Sequence, residues 1–186
     1  VVKRSECVLR PIGEEDLPLV LAWRNSEAVR PFMYTDHLIS PEEHRGWFER
    51  IRTRVPVPFR VLDVAGRPVG VVSVTGVDEA SRRCHWGFYV GEKDAPRGSG
   101  SALGWLGLSF VFGEMGMRKV VGEAFAFNEA SLRFHRRLGF TEEGRFRAHV
   151  VKGGRPEDVV AFGLLAEEWE RAKDRLLSAC FDPEGG

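Results

Sequence analysis

Two stretches of this 186-residue chain bring together residue types suited to group transfer. In Arg97-Gly98-Ser99-Gly100-Ser101-Ala102 the glycines permit a tight turn and close backbone approach, and the run opens a helix. Unpaired N–H groups and the positive dipole end there form a cradle for pyrophosphate. The segment lacks the lysine and Ser/Thr of a Walker loop and the three-glycine spacing of a dinucleotide fingerprint, and as a bare pattern it is also an ordinary strand-to-helix turn. The second stretch, Asn128 to Phe140, starts 28 residues after Gly100 and contains His135, which can serve as a proton donor near neutral pH or sit as a polar surface group beside Arg136 and Arg137. An amine nucleophile must lose a proton, and His85, His44 and Glu123 are the candidate bases. For each histidine a hydrogen-bonded structural role is the competing reading.

These groups need elements to carry them. Cys7–Pro11 reads as a strand, and Glu14-Glu15-Asp16 open a helix whose dipole suits their charge. Ser40-Pro41-Glu42-Glu43 starts a second helix, with Ser40 as cap, Pro41 at the first position and Glu43 completing a capping box. Between them Asn25–Ile39 holds Arg30, Phe32, Met33, Tyr34 and His37, too aromatic for a plain connector, and reads as a substrate lid. Three β-rich runs from Phe59 to Val90 form an antiparallel meander; on the last, His85, Gly87 and Tyr89 share one face and Cys84, Trp86 and Phe88 the other. A buried helix runs to about Met115 and is capped by Gly116, Lys119–Phe125 is a strand, and Asn128–Leu138 is a helix ended by Gly139. Strands at about Phe140–Val151 and Asp158–Leu165 flank Lys152-Gly153-Gly154-Arg155-Pro156, a hairpin signal. A helix from about Ala166 to Ser178 follows, and Phe181–Gly186 reads as a loose tail.

Composition narrows the function classes. With 27 basic and 27 acidic residues there is no global field to hold nucleic acid or an anionic membrane, so an anionic ligand must be bound locally. Cys7, Cys84 and Cys180 are too scattered for a disulfide framework or a zinc cluster, and no metal is expected. The longest uncharged run, Ser99–Gly113, is shorter than the roughly 18 apolar residues of a spanning helix. No targeting segment is seen, and a cytoplasmic protein, monomeric or homodimeric, is expected. No repeat or linker breaks the chain, which reads as one α/β (α+β) domain over residues 1–186.

Taken in order, Arg97, Gly100 and Ala102 followed by Asn128, Gly139 and Phe140 resemble the GNAT superfamily of acyl-CoA-dependent N-acetyltransferases. The resemblance covers about residues 8–165 and implies a mixed, mostly antiparallel, splayed β-sheet flanked by helices and clasping acetyl-CoA. It implies coenzyme contacts from Arg97, Gly98, Ser99, Gly100, Ser101 and Ala102, and from Asn128 and Ser131. Backbone at Phe88, Tyr89 and Val90, on a bulged fourth strand, would hold pantetheine and polarise the thioester carbonyl, where amine attack builds negative charge. Many members place an acid tyrosine seven residues after the asparagine; here that position is His135, expected to protonate the thiolate, with His85 as a base candidate.

The acceptor is read from Trp23-Arg24-Asn25, Arg30-Pro31-Phe32-Met33, Glu43-His44, Trp47-Phe48 and Cys84-x-x-Gly87-x-Tyr89. This set resembles the pseudaminic-acid-pathway enzymes that acetylate a UDP-4-amino-4,6-dideoxy sugar, and the nucleotide-acetylating domains of microcin self-immunity proteins. Arg24, Arg30 and His44 would then meet a pyrophosphate, Phe32, Met33, Trp47 and Trp86 would line or stack on the substrate. The family glutamate two residues before Gly87 is His85 here, a departure that bears on the acceptor. Two other readings stand beside it: a protein N-terminal acetyltransferase resembling the ribosomal-protein group, and a silent acyl-CoA-binding module. Core packing is the competing role for Trp23, Trp47 and Phe48.

Overall fold

A computed structural model describes residues 1–181. Seven strands form one sheet in the order β1-β2-β3-β4-β5-β7-β6. They are β1 (Cys7–Pro11), β2 (Phe59–Val64), β3 (Arg67–Asp78), β4 (Arg83–Val90), β5 (Lys119–Phe125), β6 (Thr141–Lys152) and β7 (Arg155–Leu165). Every neighbouring pair is antiparallel except β4 and β5. That parallel pairing covers only Arg83–Trp86 against Lys119–Gly122, and beyond Trp86↔Gly122 the strands part. The sheet is therefore open at its middle.

Five α-helices flank it among the described residues: α1 (Leu17–Asn25), α2 (Pro41–Ile51), α3 (Ser99–Ser109), α4 (Glu129–Arg137) and α5 (Ala166–Cys180). The alternation of β4 decides what each sheet face meets. Cys84 and Trp86 join the apolar cluster under α3 and α4, whereas Tyr89 packs with Val20, Trp23 and Phe48 of α1 and α2. Trp23 and Phe48 are thus core residues. No helix among the described residues is long and apolar enough to cross a membrane.

Local sequence explains most ends. Ser40 Oγ accepts the Glu43 N–H at 3.2 Å, starting α2, but the Glu43 carboxylate lies 3.0 Å from His37 Nε2 instead of closing the capping box. Asn128 Oδ1 accepts the Ser131 N–H at 3.1 Å and starts α4. Glu14–Asp16 do not form the first turn of α1; they make a separate 3-10 turn, because Asp16 is buried and held by Arg10 at 2.7 and 2.8 Å. The sheet irregularity expected in β4 lies in β3, where register shifts between Thr75 and Asp78 and Gly76 has φ +54°. Strand β6 forms one sheet edge and carries its own bulge between Phe146 and Val150, with the Asp158 carboxylate accepting from Ala148 N and Arg145 Nε, each at 2.8 Å. Phe181 is buried against Trp105 rather than loose; the rest of the expected tail, 182–186, lies outside the described residues.

Candidate active site

The opening between β4 and β5 widens into a cleft of about 930 Å³, roofed by α1, α2 and the Asn25–Ile39 segment. Its lining brings together Arg24, Phe32, Met33, His44, Trp47, His85, Trp86, Phe88, Tyr89, Val90, Gly100, Asn128, Ser131 and His135, residues far apart in the chain. Arg30, Arg97, Gly98, Ser99, Ser101 and Ala102 are not among the lining residues.

One half of the cleft is made of backbone. Past Trp86 the β5-facing edge of β4, from Gly87 to Val90, has lost its strand partner, and helix α3 begins opposite it. Gly98 has φ +102°, a left-handed conformation that turns the chain sharply into α3. The Ser99 N–H is taken by Pro96 O at 3.0 Å and the Ala102 N–H by Gly98 O at 3.0 Å. Gly100 and Ser101, in the first turn between them, have no carbonyl one turn back in the helix. A Cβ on Gly100 would come no nearer than 3.8 Å to Val90 Cγ2, so this backbone stands clear. Arg137 adds charge, with Nη2 3.4 Å from Ser101 Oγ. A strand edge that has shed its partner, facing two N–H groups without an acceptor among the described residues and a guanidinium, fits an amide-bearing chain ending in phosphates, which is the shape of acetyl-CoA. Ser99 and Ala102 side chains are buried, so any contact from them is through the main chain.

The other half is made of side chains. Glu123 on β5 accepts a 2.5 Å hydrogen bond from the Tyr34 hydroxyl, and its other oxygen lies 3.9 Å from His85 Nδ1. Burial and the Glu123 charge push the Tyr34 phenol up, so it remains the donor. His85, beside Glu123, and Tyr89, packed with α1 and α2, lie on this side of β4. On α2 the His44 ring stacks on Trp47 at 4.9 Å, and burial, with Arg24 nearby, pulls His44 below the ordinary imidazole range. Arg24 Nη1 is buried with no hydrogen-bond partner among the described residues, and loss of water pulls its guanidinium down.

Three expectations need correction. His135 is buried, stacked on Phe162 at 4.8 Å, with Nδ1 2.9 Å from Ser131 O and Nε2 accepting from Trp86 Nε1 at 3.3 Å. Burial pulls its pKa to about 4, so at neutral pH it is uncharged, with both ring nitrogens engaged, and does not supply a proton. Gly122 makes the contact feasible, since a Cβ there would fall 2.5 Å from His135 Nε2. Trp86 is no free stacking surface either, because its ring lies parallel to Phe140 at 5.2 Å in the core. Arg30 faces a separate cavity outside the lid, together with Lys152 and Glu157. Glu123 is one of the three base candidates and Tyr34 one of the lid residues in the sequence; no local signal pairs them, since they stand 89 residues apart.

Comparison with known proteins agrees with this geometry. Residues 7–141 match the family model of the acetyltransferase (GNAT) domain. A SPbeta prophage-derived uncharacterized N-acetyltransferase of Bacillus subtilis, YokL, is 27% identical over 164 residues, 87% of this chain and 91% of that protein. A putative ribosomal N-acetyltransferase of the same organism, YdaF, is 29% identical over 108 residues, 58% of this chain and 59% of its own. Among solved structures, Vibrio cholerae spermidine N-acetyltransferase with CoA and spermine superposes with a TM-score of 0.81 at 18% identity, covering 89% of this chain and 99% of that one. Mycobacterium smegmatis RimJ in complex with CoA-disulfide gives 0.80 at 18%, covering 93% and 88%. The chain belongs to the GNAT family and is an acetyl-CoA-dependent N-acetyltransferase.

Proposed function

We propose that the acceptor is a primary amine on a small anionic molecule of the nucleotide-linked amino-sugar type, and that Glu123, with His85 beside it, removes the amine's proton. The observation that carries the acceptor reading is Arg24, a half-buried guanidinium whose Nη1 lacks a partner among the described residues, next to the stacked His44–Trp47 pair. A buried guanidinium without an anion is costly, and a phosphate would relieve it while a base or sugar ring lies on the aromatic pair. A polyamine fits poorly: the acceptor half carries Arg24 and Arg50, and its acids, Glu43 and Glu123, already face His37 and Tyr34.

Acetyl-CoA supplies the activated acetyl group. Residues of this chain then hold and orient it: N–H groups of Gly100 and Ser101, with Arg97 and Arg137 alongside, take the pyrophosphate, and the free edge from Phe88 to Val90 pairs with the pantetheine amides. Gly98, Ser99 and Ala102 shape that turn through their backbone. An N–H from the same edge, aimed at the thioester oxygen, stabilises charge there without reorganising. Glu123 accepts the amine proton, and the Tyr34 hydroxyl keeps the carboxylate fixed. Asn128 sets the start of α4, and Ser131, on the cleft side of that helix, donates a hydrogen bond to the departing thiolate, which takes its proton from water while Glu123 returns the amine's proton to solvent. Phe32 and Met33 close over the acceptor.

A peptide N-terminus is the second acceptor reading, favoured by the match to a putative ribosomal N-acetyltransferase. Release of free CoA, measured with a UDP-4-amino-4,6-dideoxy sugar, an alanine- or serine-starting peptide and spermidine in parallel, separates these readings. Turnover of the sugar with loss of sugar affinity in Arg24→Gln is the expected result. Turnover of the peptide or of spermidine alone overturns the acceptor and leaves the coenzyme site intact.

A further inference from the structure

We propose that Lys152, at the β6–β7 hairpin, is a positioning residue that bolts the lid over the acceptor half of the cleft and, through the lid, sets the Tyr34 hydroxyl on Glu123. Lys152 Nζ donates to Met33 O at 2.7 Å and Arg30 O at 3.2 Å, lies 3.5 Å from Thr35 O, and pairs with Asp36 Oδ1 at 2.9 Å. The other Asp36 oxygen accepts the Gly153 N–H at 2.8 Å. An ammonium has three donors, and here they are spent on the lid's main chain and one carboxylate, 116 or more residues away in sequence. The Lys152 side chain is only 11% exposed, unusual for a residue that is almost never buried unless paired.

Beside Lys152, on that side of the segment, stand the Phe32–Phe127 ring contact at 6.2 Å and Arg30 Nη1 on Asp36 O at 3.4 Å. Between α1 and α2 it has one 3-10 turn, Arg30–Phe32, and a cavity of about 310 Å³ lies between it and the hairpin. Its base is closed by Asn25, whose side chain bonds the Ile39 backbone at 2.8 and 2.9 Å. Lys152 holds the carbonyls on both sides of Tyr34, and it is Tyr34 that sits edge-on to Phe125 at 5.4 Å with its hydroxyl on Glu123. A segment with no strand ladder and little helix opens locally at smaller cost than the sheet, so removing the bolt should free this stretch before the sheet is affected.

The proposal takes from the functional reading only that the cleft beneath the lid receives the acceptor. Lys152→Met keeps the aliphatic stem and removes the cation. We expect chymotrypsin to cut after Phe32 and Tyr34 roughly tenfold faster than in the parent protein, on the basis of lost local protection. With tyrosine labelled at the phenol carbon, the chain's two tyrosines give two resonances, assigned with Tyr89→Phe. The Tyr34 resonance of Lys152→Met should move to where Glu123→Gln places it. The KM of the acceptor identified by CoA release should rise roughly tenfold while that of acetyl-CoA stays put, and Lys152→Met should cost no further kcat once Tyr34→Phe is present. An unmoved Tyr34 resonance with unchanged cleavage overturns the proposal. If Lys152→Met does not fold, Asp36→Asn carries the same test on the ion pair. Full-rate turnover by Glu123→Gln with the resonance shifted as expected would instead remove Glu123 as base and leave the bolt standing.

Discussion

The half of the cleft proposed for the coenzyme and the half proposed for the acceptor are put together in opposite ways. The first comes from regular structure: a parallel pair that stops at Trp86↔Gly122, a left-handed Gly98 and the first turn of α3. Side chains matter little there, so the same cradle can be written in many sequences. The second is assembled from charged and aromatic side chains on five separate pieces of chain, among them Arg24, Tyr34, His44, His85 and Glu123. Such a site has no spare geometry, because moving any one piece unmakes the contact between two others. The comparison teaches that a transferase can hold its common substrate with backbone and reserve side chains for the partner that must be chosen.

The sharpest way to break that contrast is Glu123→Gln, which keeps shape and removes the carboxylate proposed as base. Its kcat should fall by roughly 10²- to 10⁴-fold with little change in the KM of acetyl-CoA; equal losses in both halves would mean that the halves are not separate. Next in size is Gly100→Asp, which sets a carboxylate where phosphate is expected. Acetyl-CoA affinity, read by calorimetry, should drop by roughly 10²- to 10³-fold while the circular dichroism spectrum holds, since the site has room for a Cβ.

A third test concerns the joint between the halves, where His135 accepts from Trp86. The folded protein holds His135 near pKa 4, whereas the unfolded chain takes up that proton near pH 6.5. Stability is therefore complete above about pH 6.5 and declines as pH falls toward 4, by about 3 kcal/mol, with His44 shifted in the same direction. Denaturant melts between these pH values should show the slope, and His135→Gln, which still accepts from Trp86, should flatten it. The smallest effect belongs to Ser40→Ala: losing the cap of α2 should cost about 1 kcal/mol and raise acceptor KM slightly without touching acetyl-CoA.

The same contrast explains what could be read from sequence. Helix caps at Ser40 and Asn128, the glycine stops at Gly116 and Gly139 and the strand runs are local signals, and all seven strands follow from them. Gly100 and Asn128 were legible because turn and helix-start chemistry is written within a few residues. His135 misled because its neighbours Arg136 and Arg137 are exposed, while a helical step of one residue turns its own ring inward onto Phe162. Tyr34 and Glu123 are 89 residues apart, and Lys152 and Met33 119, so no spacing rule reaches them. Charge pairing across the sheet emerges only when the lid and the hairpin are placed together.

The bulge in β6 has a consequence for life in a crowded solution. A straight edge strand of twelve residues offers a ladder of free amides and carbonyls to any extended polypeptide, including another copy of itself. Here the ladder is interrupted between Phe146 and Val150, with Ala148 forced to φ +49° and its N–H turned back into the parent sheet, onto Asp158. Arg147 adds positive charge on the same stretch, while Arg145 pairs with Asp158. The edge thus defends itself against adhesive stacking, and straightening it there by deleting the two extra residues, Arg147 and Ala148, should raise the tendency to aggregate.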